Sequence, residues 1–226
     1  MLTCRQQSFL CGSFAAIVCI VAASVASANA AQRYDQYINR QTGVVRPPEG
    51  FATNDDCWRT SWVYASLVVI RANDQQLYER LKADHGLDIS LVKTFLTYFR
   101  DNCIGGDAWK RPTTLTPDFS RDQLTPLLYL LACIHVHGPD DCRPAAKDIL
   151  QDLVRIVKKR GAVSNTSGGN VDGNLRYVID VVAHKFGVDF VGGTLRGIHK
   201  ALFSGALKAS MSHHADVPES AHRVLP

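Results

Sequence analysis

Apolar positions recur with a helical period through most of the chain. Trp58, Trp62, Ala65 and Val69 fall at i, i+4, i+7 and i+11, which predicts one buried stripe on a helix ending near Ala72. Asn54-Asp55-Asp56 stands at its start, with side chains that cap a helix and acids that suit its positive end. A short helix over 74–84 closes at His85-Gly86, where glycine supplies the left-handed stop. Ile89, Val92, Leu96 and Phe99, broadened by Phe95, predict a helix from about Asp88 to Asn102-Cys103. Leu124, Leu127, Leu128, Leu131 and Ile134 predict the next, starting at Ser120. Pro144 suits the first position of a helix carrying Ile149, Leu150, Leu153, Ile156 and Val157 and stopping before Gly161. A last helix spans 174–186 and halts at Gly187, leaving strand-like alternation only over 188–191. The fold class is all-α, a helical-hairpin array of five to six helices.

Both ends of the chain read differently. Residues 1–30 carry one cation (Arg5) and no acid, then an apolar run over 14–27 and an A-x-A site at Ala28-Asn29-Ala30, which together predict a secretory signal. Cys19 follows Ile17-Val18 rather than a lipobox, so the protein is expected to be cleaved and released, secreted or periplasmic. The helical domain then covers 31–191. Over 192–211, Leu195, Ile198, Leu202 and Leu207 form one face, and Arg196, Lys200, Ser204 and Lys208 recur opposite it. This separate amphipathic basic helix, centred on 194–211, could lie on an anionic membrane surface, dock a protein partner or pack on the helical body. Residues 212–226 hold three histidines, two prolines and small polar residues, a disordered tail by composition.

Charge narrows the classes further. The formal net charge of the 226 residues is +4, and the predicted signal takes one cation with it. That excludes a nucleic-acid binder working through bulk positive charge. After the signal no apolar stretch reaches the roughly eighteen residues of a membrane span. Four cysteines remain beyond the signal, Cys57, Cys103, Cys133 and Cys142, and an even number in an exported domain argues for two disulfides with three connectivities open. The helix layout favours Cys57–Cys103 and Cys133–Cys142.

Helices joined by short connections pack as antiparallel neighbours. If the long helices alternate in direction, with the 74–84 helix serving as part of a crossing, the first, third and fifth of them begin at one pole. That pole then gathers Asp55, Asp56, Trp58, Trp109, Asp118, Arg121, Asp122, Asp172 and Asn174. Carboxylates and an arginine beside two indoles suit a hydroxyl-rich ligand such as a glycan, with Trp58, Trp109, Asp172 and Asn174 as binding residues. Asp118, Arg121, Asp122 and either Asp55 or Asp56 would be the catalytic set if two carboxylates divide acid and base roles. Ser120 and Gln123 have a structural explanation of their own, an S-x-x-Q capping box. His135-Val136-His137 with Asp140 and Asp141 has no assigned third ligand, so neither a metal nor any other cofactor is predicted. Asn165-Thr166-Ser167 is a sequon relevant only in a eukaryotic cell.

The stretch Asp118-Phe119-Ser120-Arg121-Asp122-Gln123, opening a helix after Trp109-Lys110-Arg111-Pro112, resembles uncharacterised exported bacterial proteins of α/α-toroid-like architecture over about 34–186. The resemblance implies glycan processing, with acids at helix starts, and carries to Asp118, Arg121 and Asp122. Five or six helices would make a partial toroid. Two expectations follow from different classes. The first is an exported domain with a carbohydrate site, binding or hydrolytic. The second is a non-catalytic interaction protein touching a membrane or partner through its C-terminal helix.

Overall fold

The computed structural model describes residues 34–46 and 56–190, and the expected signal, Asp55, the expected 192–211 helix and the expected tail lie outside the described residues. The described residues form an all-α fold of six helices: α1 (Asp56–Asn73), α2 (Gln75–His85), α3 (Ser90–Asn102), α4 (Arg121–His137), α5 (Arg143–Arg160) and α6 (Gly173–Lys185). Three starts and two stops have a local cause. Asp74, Ser120 and Asp172 accept the backbone N–H of Leu77, Gln123 and Leu175 at the starts of α2, α4 and α6. Gly86 and Gly161 take left-handed φ of 65° and 70° at the ends of α2 and α5. Helix α4 continues through Pro126, which lies inside it.

The directions of the helices follow from side-chain contacts. Lys93 pairs with Asp141, Arg100 with Asp148, and Gly105 N–H donates to Asp152, so α3 and α5 run parallel. Arg121 faces Asp172 and the His135 ring lies 5.3 Å from that of Phe186, so α4 and α6 are parallel as well. Tyr64 packs on Phe95 in mid-helix, and Cys57 adjoins Cys103, so α1 runs antiparallel to α3. Phe119, just before α4, packs 5.7 Å from Phe99 near the end of α3. Helices α1, α4 and α6 therefore begin at one pole, where α3 and α5 end. The short α2 acts as part of the crossing from α1 to α3, as the alternating layout requires.

Beneath that pole, Phe95, Phe99, Trp109 and Phe119 make a chain of tilted and edge-on ring contacts with centroids 5.5–5.8 Å apart. Leucines of α4 and Ile149, Leu150, Leu153 and Ile156 of α5 complete the core. On the flank of α1 and α3, residues 34–46 fold into a strap: a 3-10 turn at Tyr34–Tyr37, then an isolated bridge between Ile38 and Val45. Tyr64 donates its hydroxyl to the Gly43 carbonyl (2.5 Å), and Val45 N–H donates to Thr60 Oγ1 (2.9 Å). A Cβ on Gly43 would meet the backbone of Phe95 and Leu91 at 2.7–2.9 Å, and φ is +69°, so the strap lies against α3 only because no side chain is there. Among the described residues no helix is long and apolar enough to cross a membrane.

Candidate functional site

The loop between α3 and α4 is fastened to the pole by the backbone. Lys110 N–H donates to the Cys103 carbonyl, Trp109 N–H to Val163, and Val163 N–H to Gly169. Asp152, on α5, holds the same loop through its side chain: Oδ2 accepts from the Trp109 indole N–H (2.7 Å) and from Gly105 N–H (3.1 Å). Its other oxygen pairs with Arg155, whose guanidinium also donates to the Gly106 carbonyl. Arg160 donates to the Asp107 carbonyl and to Asn165, and Lys159 pairs with Asp107. This web joins α5 to both loops of the pole.

The predicted site residues divide into three groups on this scaffold. Trp109 has no exposed surface, packed between Phe99 and Phe119 with its N–H held by Asp152, so neither ring face is open to a ligand. Asp56 is buried in the first turn of α1. Asp118 is occupied, accepting from Arg111 Nε (2.8 Å) and from the Thr116 hydroxyl (2.6 Å). The remainder reach solvent: Trp58, Arg121, Asp122, Asp172 and Asn174 are all exposed. With α1 and α4 parallel and Trp62 packed on Tyr129, Asp56 comes level with Asp122 and Gln123, so the starts of the two helices are neighbours.

Arg121 occupies the centre of the exposed group. Its guanidinium lies 3.8 Å from an Asp122 carboxylate oxygen and 4.0 Å from Asp172 Oδ2. Both separations exceed hydrogen-bond length. Asp172 uses Oδ1 to cap α6 and keeps Oδ2 toward the arginine. Pro126 has no N–H, which removes the helical donor that the Asp122 carbonyl would otherwise receive. The first turn of α4 thus carries an arginine and one carboxylate, and the cap of α6 brings a second carboxylate beside them, all three side chains exposed.

The expected disulfides are corrected by the structure: Cys57, Cys103, Cys133 and Cys142 are unbonded, buried thiols. Sharing a pole is a weaker condition than the short sulfur–sulfur approach a disulfide needs. The sulfurs have local partners instead: Cys57 faces Ser61 Oγ at 3.8 Å, Cys133 the Tyr129 hydroxyl and Cys142 the Asp141 carboxylate. Burial pushes Cys57 well above the usual thiol range, Cys103 to about 12, and Cys133 and Cys142 each to about 11. None has the lowered pKa of a nucleophile.

At the opposite pole, burial and the positive charges of Arg143 and Lys185 lower the His135 pKa. Among the described residues no cluster of three or more His, Cys, Asp or Glu side chains is placed to hold a metal ion. Sequence reasoning missed Asp152, because Asp152 and Arg155 at i, i+3 read as an ordinary solvated pair on the outside of a helix. It also missed Tyr129, the half-buried partner of Trp62. Comparison with protein-family models, with curated proteins and with solved structures finds no match.

Proposed function

We propose that this chain is an exported helical domain, secreted or periplasmic, that binds a carbohydrate at the rim formed by the starts of α1, α4 and α6. The observation that carries this reading is Arg121, set between Asp122 and Asp172 without closing a hydrogen bond to either. Sugar hydroxyls both donate and accept, so they can bridge guanidinium and carboxylate at such gaps, where water would otherwise do so. The export half of the proposal rests on residues 1–30. The likeness of Asp118–Gln123 to exported toroid-like proteins points the same way.

Binding is favoured over hydrolysis by how the acids are engaged. Two-carboxylate cleavage needs an acid and a second carboxylate facing one bond. Asp118 is committed to Arg111 and Thr116, Asp56 is buried, and Asp172 is engaged through Oδ1 as the cap of α6, which leaves Asp122 as the one described rim acid without such a role. The capping roles of Ser120 and Asp172 favour the second reading, a non-catalytic interaction protein whose contact lies in 192–211.

A glycan panel presented to the chain without residues 1–30 tests the proposal. Arg121→Ala should weaken binding about tenfold or more, the size expected for losing one hydrogen bond from a charged donor. Its melting temperature should stay close to that of the parent, because the side chain is exposed. Release of a product, lost in Asp122→Asn, would instead mean a hydrolase. Absence of any ligand on the panel would leave the interaction-protein reading.

A further inference from the structure

We infer that the rim continues down the seam of α1 and α4 as a row of aromatic rings, Trp58, Trp62 and Tyr129, on which successive rings of a neutral oligosaccharide stack. The inference rests on the carbohydrate reading and names the ligand class within it. The ring centroids follow one another at 6.4 and 5.0 Å, with interplanar angles of 70° and 45°. Trp58 is 44% exposed, the most exposed aromatic among the large apolar side chains at the surface, while Trp62 and Tyr129 are half-buried behind it. An edge-on contact between the two indoles leaves more ring face open than stacking would.

The row lies in register with the polar group of the rim. Tyr129, Thr125 and Arg121 succeed one another at four-residue steps along α4, as Trp62 and Trp58 do along the parallel α1. Thr125 donates its hydroxyl to the Arg121 carbonyl, which ties this stripe to the first turn. A ligand with an apolar face and a hydroxyl edge, as a pyranose has, can lay its face on the indole and turn its hydroxyls to Arg121 and Asp122.

Charge selects among such ligands. Arg121 brings one positive charge against the two carboxylates of Asp122 and Asp172, and the positive ends of α1, α4 and α6 lie at the same pole, so the rim mixes both signs. A neutral oligosaccharide, whose hydroxyls both donate and accept, can satisfy the guanidinium and the carboxylates together, which an acceptor-only acidic sugar edge or anionic lipid headgroup cannot. The length of the row requires more than a single sugar ring for full contact.

Titration calorimetry with neutral glucose and N-acetylglucosamine oligomers of one, three and six rings tests this. The parent should bind the longer oligomers about tenfold more tightly than the single ring. Trp58→Ala should remove that length dependence, whereas Trp58→Tyr, which keeps a stacking face, should retain most of it. Circular dichroism should match the parent in both variants, since residue 58 is half-exposed. Binding that is indifferent to length and to Trp58→Ala, yet lost in Arg121→Ala, would overturn the aromatic row and leave the rim proposal standing. No binding of any sugar by the parent would overturn both. Binding instead to phosphatidylcholine vesicles, lost in Trp58→Ala, would assign the row to a membrane surface and overturn the inference.

Discussion

Asp152 illustrates how much of the pole depends on one carboxylate. It accepts from the indole of a fully buried Trp109 and from Gly105 N–H, and so fastens α5 to the loop that leads into α4. Removing it strands a buried indole N–H, at a cost of about 1–3 kcal/mol. Asp152→Ala should therefore lower the urea midpoint with little change in slope, and Asp152→Asn, which keeps an acceptor oxygen, should lose less. Equal stability of parent and Asp152→Ala would show that the indole finds another partner. Trp58, by contrast, lies half-exposed at the start of α1. The two tryptophans have opposite environments although both belong to segments that meet at the same pole.

Among the elements, the joint between α2 and α3 carries a pH-sensitive contact. Partial burial of Asp88 raises its pKa, but the Lys82 ammonium at 2.7 Å and the N–H of Ser90 outweigh that and hold it at about 2. The folded value lies below the unfolded value of about 3.9. The ionised carboxylate thus contributes stability above that unfolded value, and the contribution is lost as pH falls through it toward 2. Asp88→Asn should be less stable than the parent near neutrality, by no more than about 1 kcal/mol for a partly exposed pair. The difference should narrow between pH 4 and 2 in chemical unfolding curves. A gap constant across that window would show that the contact is not electrostatic. Most boundaries of the elements were legible beforehand because caps and stops act locally: Ser120 accepts at the start of α4, and Gly86 and Gly161 end helices. Pro126 did not interrupt the expected helix. At the sixth residue of α4 it removes one backbone bond, which the leucines packed along the same helix offset.

At the scale of the whole molecule, everything proposed about function requires α1 and α4 to begin at the same end. Spin labels at positions 58 and 122 should lie close together, while labels at 73 and 122 should be roughly 20 Å farther apart, the rise of fifteen helical residues. The reverse order in a pulsed dipolar measurement would dissolve the rim. Helix period, caps and the all-α class are properties of neighbouring residues, so the sequence by itself determined them. The alternation of helix directions was expected from the order of the helices but decided by contacts across the fold, because the connections over 103–120 and 161–172 are long enough to allow either direction. What each polar or aromatic side chain does at the pole was settled by packing between residues far apart in the chain. Trp109 lies in the core because Phe99, Phe119 and Asp152 surround it, and Asp118 is occupied because Arg111 folds back onto it. The four thiols are buried and unbonded, three of them beside a polar side chain: Cys57 by Ser61, Cys133 by Tyr129 and Cys142 by Asp141. Such outcomes depend on distances across the fold, which residue spacing along the chain does not contain.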